Sequence, residues 1–116
     1  MWAIPGSHRT APLFRRFVTD PPGSAPRFVP GDPAARARGE PPPELPAADD
    51  ETVGWAPLPC AAGSLVILHG NVLHHSRPNR SGRSRPAYTV HVVEQAGHVW
   101  SRENWLQRDE GFEAFV

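Results

Sequence analysis

Residues 69–91, HGNVLHHSRPNRSGRSRPAYTVH, contain the side chains best suited to chemistry. This stretch of 23 residues holds four of the six histidines and four of the twelve arginines, and it has no acidic residue. Imidazole is a common ligand for iron, zinc and copper, and guanidinium groups bind carboxylates with two parallel hydrogen bonds. The stretch could therefore be a metal site, a nucleic-acid patch or a basic strand-turn-strand, and a metal site would need its carboxylate from elsewhere.

One strand arrangement would bring several of these side chains together. If residues 72–87 form an antiparallel pair around a central turn, His74 lies opposite Arg85, and opposed residues share a face with Cβ atoms about 5 Å apart. Alternation adds Ser76 to that face and turns His75 away from it. An imidazole, a hydroxyl and a guanidinium group on one face would suit a small dianion that also contacts a metal. The pairing is a hypothesis, since the turn need not form an ideal hairpin.

The hydrophobic pattern predicts the strands that would hold this face. Strands are expected at residues 2–4, 64–68, 72–74 and 87–94, with turns at 5–7, 62–63 and 78–82. Strands with turn signals and no convincing amphipathic helix predict an all-β sandwich or barrel. Because three or four strands cannot close such a structure, the chain looks like part of a larger domain.

The remaining segments are less regular. Residues 13–19 fit either a helical turn or an irregular segment, and the aromatic tail, residues 100–116 with Phe115 near its end, is expected to cover the sheet as a short helix or coil. Fifteen prolines far exceed the usual fraction of about 5%, and eleven of them lie between Pro21 and Pro59. Proline removes a backbone donor and fixes φ, so residues 20–50 are predicted to be a Pro-rich loop or disordered insertion.

Composition excludes several classes of function. The formal net charge is zero, which disfavours an arginine-rich RNA binder, and the single cysteine, Cys60, excludes an internal disulfide or a Cys-based zinc cluster. The N-terminal sequence lacks a secretory signal, and no apolar run approaches the roughly 20 residues of a membrane span. We therefore expect an intracellular, cytoplasmic protein with no nucleic-acid or membrane partner.

Three motifs resemble a known family. GSLVILHGNVLHHSRPNRSGRSRPAYTVHVVE, residues 63–94, is similar to the C-terminal part of the phytanoyl-CoA dioxygenase family. WAIPGSH, residues 2–8, resembles that family's Trp…Pro-Gly-Ser-His segment, and VWSRENWLQ, residues 99–107, resembles the ending of one subgroup. The resemblance covers both ends of residues 1–116 and skips the Pro-rich middle. It implies a partial double-stranded β-helix, or jelly roll, and an Fe(II)- and 2-oxoglutarate-dependent dioxygenase that hydroxylates a C–H bond.

The resemblance also implies roles for individual residues. His74 matches the distal iron-binding histidine of the family. Arg85 matches the arginine that binds the far carboxylate of 2-oxoglutarate, and Ser76 matches a serine that hydrogen-bonds the same carboxylate. Trp2 matches a tryptophan that lines the co-substrate pocket. The substrate is not implied; an acyl-CoA or another lipid-like molecule is one candidate.

One departure from the family concerns the iron site, which is a triad of two histidines and a carboxylate. Two of its ligands come from a His-x-Asp motif, and no histidine of this chain is followed two positions later by an acidic residue. In the family that motif precedes the segment matched by Trp2, so Met1 looks like an internal start. The sequence therefore leaves two readings open: part of a dioxygenase, or a non-catalytic remnant that binds a carboxylate or a partner.

Overall fold

A computed structural model describes residues 1–10 and 14–114 of the chain. Within them, unit 1 comprises residues 1–10 and 44–89, and unit 2 comprises residues 14–43 and 90–114. In chain order the elements are β1 (Trp2–Ala3), α1 (Ser7–Thr10), β2 (Arg15–Val18), β3 (Arg27–Pro30), α2 (Pro33–Ala37), a 3-10 helix (Glu51–Val53), β4 (Ala56–Pro57) and β5 (His74–His75). Since strands outnumber the short helices, the prediction of a β-rich fold is confirmed.

Unit 1 contains a three-stranded antiparallel sheet with β1 at its centre and β4 and β5 at its sides. The β1–β5 pairing is extended by a hydrogen bond of 3.0 Å from the Ile4 amide to the Leu73 carbonyl. The Leu73 amide in turn donates to the hydroxyl of Ser7 at 2.9 Å, and Ser7 is itself buried. These two bonds fasten the chain just before β5 to the chain just after β1.

Unit 2 is built on a hairpin of β2 and β3, which pair antiparallel over four residues each. Its buried residues are Val18, Val29 and Pro30. Val18 and Val29 lie on one face of the hairpin, while Phe17 and Phe28 contact each other on the other face with ring centroids 4.7 Å apart. The tail adds a bridge from Asn104 to Val18. This hairpin therefore carries the side-chain core of unit 2.

The tail was predicted to cover the sheet, and its described part does contact a strand. Trp105 lies against Phe17 with ring centroids 5.8 Å apart, and the segment is turns and coil rather than helix. Phe115 falls outside the described residues. No helix in the described ranges is long and apolar enough to cross a membrane.

Two strand predictions in unit 1 and at its end are wrong. Residues 64–68 and 87–94 form no strand, and Leu65, Ile67 and Tyr88 are 84%, 86% and 94% exposed. β-Branched and aromatic residues favour a strand only where a neighbouring strand pairs with it and a face is buried. The predicted strand at 72–74 overlaps the observed β5, His74–His75, at His74 alone, and the partner of β5 is β1. The strand at residues 2–4 and the turns at Pro5–Gly6 and 62–63 are confirmed.

The two predictions for the first half of unit 2 are also wrong. Residues 15–18 of the segment expected to be helical or irregular form β2, whereas Leu13 lies outside the described residues. The Pro-rich segment 20–50 contains β3 and α2, so it is not entirely a loop. Its prolines occupy tolerated places: Pro30 ends a strand, and Pro33 begins a helix capped by the side chain of Asp32.

Candidate functional site

The sheet of unit 1 positions the residues with predicted chemistry. The β1–β5 register sets Ala3 opposite His74 and Trp2 opposite His75. Because directly opposed residues in an antiparallel pair share a face, His74 lies on the Ala3 face and His75 on the Trp2 face. The two faces of this strand pair therefore carry different groups, and we describe them in turn.

His74 is exposed, and its ring is held by its own backbone. Its Nδ1 lies 2.9 Å from the carbonyl oxygen of Val72. A carbonyl oxygen only accepts, so Nδ1 carries the hydrogen and, in the neutral ring, Nε2 carries the free lone pair. Fixing the tautomer through the second ring nitrogen is how proteins commonly prepare a histidine for a metal. The geometry of His74 suits a single metal ligand.

The other residues predicted for the same pocket are not gathered around His74 by strand pairing. Ser76 follows β5 directly and is exposed. Arg85 lies in an exposed segment with no strand, so the predicted strand pairing of His74 with Arg85 is wrong. The physical reason is that residues 78–90 form no strand, so β5 has no hairpin partner there and pairs with β1 alone. The roles of Ser76 and Arg85 remain predictions from the family resemblance.

Trp2 lies on the opposite face from His74. The Arg77 guanidinium carbon sits over its indole ring, 4.8 Å from the ring centroid. On the same face, the ring of His75 meets that of Trp55 edge-on, with centroids 4.5 Å apart. Both ring nitrogens of His75 are buried, and within the described structure they have no hydrogen-bond partner. The register thus groups Trp2 with His75 and Arg77 rather than with His74.

A cavity of about 300 Å³ opens on the Trp2 face. It is lined by two aromatic rings, one cation and a run of carboxylates: Trp2, Trp55, Arg77, Asp49, Asp50 and Glu51. Hydrogen bonds from the hydroxyl and the amide of Thr52 lower the pKa of Asp50, so this carboxyl stays ionised at neutral pH. The sequence interpretation missed this cavity. The signal in the sequence was Trp55, a large aromatic residue directly after the turn glycine Gly54, which has φ +76°.

The part of the chain that the structure describes does not complete a metal site. Across residues 1–10 and 14–114, no group of three or more His, Cys, Asp or Glu side chains converges as metal ligands would. His8 and His69 contact each other with ring centroids 4.8 Å apart, but the His69 Nδ1 is engaged by the Asn71 amide at 3.1 Å. Iron in a facial triad needs three protein ligands. The described residues offer one candidate ligand for such a triad, His74.

Comparison with known proteins gives the same family as the motifs. A sequence model of the family described as Phytanoyl-CoA dioxygenase (PhyH) matches residues 1–87. The chain is 42% identical over 114 residues to phytanoyl-CoA dioxygenase domain-containing protein 1 of Mus musculus, covering 92% of this chain and 32% of that protein. It is 36% identical over 108 residues to a phytanoyl-CoA dioxygenase of Arabidopsis thaliana, covering 93% of this chain and 32% of that protein.

A cattle relative gives similar values. Phytanoyl-CoA dioxygenase domain-containing protein 1 of Bos taurus is 41% identical over 109 residues, again covering 92% of this chain and 32% of the relative. The chain thus spans about a third of the length of the curated relatives it matches. No solved structure matches it.

Proposed function

Because the chain belongs to the phytanoyl-CoA dioxygenase family, we propose that it carries the distal part of the active site of an Fe(II)- and 2-oxoglutarate-dependent dioxygenase. The supporting observation is the ring of His74, whose Nδ1 donates to the Val72 carbonyl and leaves Nε2 as a free donor to a metal. When bound, iron with 2-oxoglutarate would supply the oxidising chemistry for hydroxylation of a C–H bond. The proposal includes, for this chain, a partial double-stranded β-helix, or jelly roll.

In this proposal the chain's residues hold the metal and orient the keto acid. His74 provides one ligand through Nε2. The guanidinium of Arg85 binds the far carboxylate of 2-oxoglutarate with two hydrogen bonds, a geometry that lysine cannot match. The Ser76 hydroxyl donates to the same carboxylate. Both side chains are exposed, which leaves them free to contact a small anion.

Trp2 has weaker support as part of the co-substrate pocket. The register places its indole across the strand pair from His74. Its role toward 2-oxoglutarate therefore rests on the family resemblance alone. For the substrate, we propose an acyl-CoA or other lipid-like molecule, because Arg80 and Arg83, which follow His74 in the sequence, would attract an anionic group.

A second candidate function is a non-catalytic binding module. The observation that favours it is that, within the described ranges, no other side chains gather with His74 to complete a triad of metal ligands. A single histidine does not hold Fe(II) tightly. Under this reading the chain alone binds a carboxylate through Arg85 and turns nothing over.

A chimera tests the dioxygenase proposal directly. Residues 1–116 replace the matching third of the Mus musculus relative, and succinate release from 2-oxoglutarate is measured with Fe(II) and dioxygen. If the parent protein releases succinate, the chimera should do so as well, and His74→Ala should abolish release. The isolated chain should give no succinate above a blank without protein.

Matched variants separate the two candidates. His75→Ala in the same chimera is the control, because its ring lies on the opposite face of the strand pair. Succinate release that survives His74→Ala would contradict the assigned ligand. A chimera that folds, binds 2-oxoglutarate in an Arg85-dependent way and releases no succinate would favour the binding module.

A further inference from the structure

The cavity on the Trp2 face lies across the strand pair from His74, and it has the features of a ligand site of its own. We propose that this cavity binds a small organic ammonium cation, held by cation–π contact with Trp2 and Trp55 and by the neighbouring carboxylates. The inference goes beyond the proposed dioxygenase function and does not depend on it, because the cavity lies on the face of the β1–β5 pair that His74 does not share.

The first argument is that one indole of the cavity already holds a cation. The guanidinium of Arg77 lies 4.8 Å from the centroid of the Trp2 ring, within the range of a cation–π contact. Its one hydrogen bond, to the Ala48 carbonyl, is long at 3.4 Å. Arg77 is exposed and weakly held, so a free cation could displace it from the ring.

The second argument is charge. Three carboxylates line the cavity, Asp49, Asp50 and Glu51, against the single guanidinium of Arg77. The Asp50 carboxylate accepts a hydrogen bond from the Thr52 amide. Asp49 and Glu51 form no ion pair within the described ranges. A net negative cavity with aromatic walls attracts a cation and repels an anion. A tryptophan ring that already accepts a cation on its face, with a second tryptophan and carboxylates in the same cavity, is the chemistry that recognises ammonium groups.

The third argument is size and rigidity. The volume of about 300 Å³ lies at the small end of ligand pockets, which suits a compact cation rather than a large cofactor. The Trp55 ring is held by a hydrogen bond of 2.9 Å from its Nε1 to the Ala47 carbonyl and by the edge of His75. The wall formed by Trp55 is thus in place before a ligand arrives.

The test uses tetramethylammonium chloride as the probe and the indole N–H signals of the intact chain in two-dimensional NMR. At constant ionic strength, the signals of Trp2 and Trp55 should move with the probe and stay still with sodium chloride. Trp100, whose Nε1 is bonded to the Leu106 carbonyl, and Trp105 are internal controls and should not move. Equal shifts with sodium chloride, or no shift, would overturn the proposal.

Two variants give the sharpest outcome. Arg77→Ala removes the competing internal cation, so the probe should bind about fivefold more tightly, the factor expected for one like charge about 4 Å away in water. A misfolded protein cannot produce such a gain. Trp55→Leu should weaken binding about threefold or more, while Trp105→Phe should leave it unchanged. Unchanged or weaker binding of the probe in Arg77→Ala would show that Arg77 does not compete with it for the Trp2 ring and would sink the proposal.

Discussion

The two units hold their strands in different ways. In unit 2, β2 and β3 are close in sequence and pair over four residues, and the two valines of the hairpin are buried, Val18 at 0% and Val29 at 2% exposure. In unit 1, β1, β4 and β5 pair over two residues each and come from distant parts of the chain. Unit 1 therefore depends on a few backbone bonds, whereas unit 2 depends on buried side chains.

The residues with predicted chemistry lie in the unit with the shorter strands, where Ala3 is the one buried apolar residue among those described. His74, Ser76 and Arg85 all belong to unit 1 and are exposed. Regions with few buried apolar contacts open at lower free energy than packed ones, and binding sites are often drawn from them. The difference suggests that substitutions in unit 2 change folding, while those in unit 1 change local geometry around His74. The following predictions test that difference, beginning with the largest effect.

Val18→Asp should have the largest effect, because Val18 is completely buried. A carboxylate there has no partner, and we expect a loss of about 3 kcal/mol or more in the free energy of unfolding. Urea denaturation followed by the indole signal of Trp105, which contacts Phe17 in this unit, measures it. Leu65→Asp is the control in unit 1, at a side chain 84% exposed, and should change stability by about 0.5 kcal/mol or less. Similar losses in both variants would remove the contrast between the units.

Ser7→Ala should have an intermediate effect, and it should be local to unit 1. The Ser7 hydroxyl accepts the Leu73 amide at 2.9 Å. Removing it leaves that part-buried amide without a partner, at a cost of about 1 kcal/mol, the low end for an unsatisfied donor. Hydrogen exchange of the Leu73 amide should become faster, and the signal of His74, the next residue, should shift. Ser76→Ala, at an exposed serine, is the control; an unchanged exchange rate in Ser7→Ala would show that β5 does not depend on this bond.

Glu103→Gln should affect unit 2 in a pH-dependent way. Glu103 accepts a hydrogen bond of 2.6 Å from Arg36, and this contact lowers the pKa of the Glu103 carboxyl. A group whose pKa is depressed by folding adds stability above its unfolded pKa and loses it as pH falls through the folded pKa. The wild type should therefore lose more stability than Glu103→Gln between neutral pH and pH about 3. Glu110→Gln, at an exposed carboxylate, should follow the wild type in thermal melts across that range, and parallel curves for all three proteins would contradict the prediction.

Sequence reasoning located part of the strands of unit 1 but not their partners. It predicted β1 and a strand that overlaps β5 at His74, and it wrongly placed another strand at residues 64–68. It could not predict that the two pair, since nothing local in the sequence encodes contact between segments some 70 residues apart. The same pairing brings Trp2 to Arg77 and Trp55, which is why the cavity was not predicted either.

The hairpin of unit 2 was missed for a different reason. The density of prolines suggested a loop across residues 20–50, yet single prolines at a strand end or at the first turn of a helix are compatible with regular structure. Pro30 and Pro33 occupy those places. Position relative to an element's ends matters more than the number of prolines, and composition does not record position. For the predicted site, the family motifs point to His74 without reference to its neighbours, and its role as a ligand stays a prediction.

The smallest effect we predict concerns which ring nitrogen carries the hydrogen in two histidines of unit 1, His74 and His69. This difference does not change stability. The Nδ1 of His74 donates to the Val72 carbonyl, whereas the Nδ1 of His69 accepts from the Asn71 amide. At pH about 9, where imidazole is neutral, His74 should be the tautomer with hydrogen on Nδ1 and His69 the tautomer with hydrogen on Nε2. Long-range ¹H–¹⁵N correlation spectra distinguish the two. Hydrogen on Nε2 of His74 would mean that the nitrogen assigned to the metal is not free, and the proposed ligand role would lose its structural support.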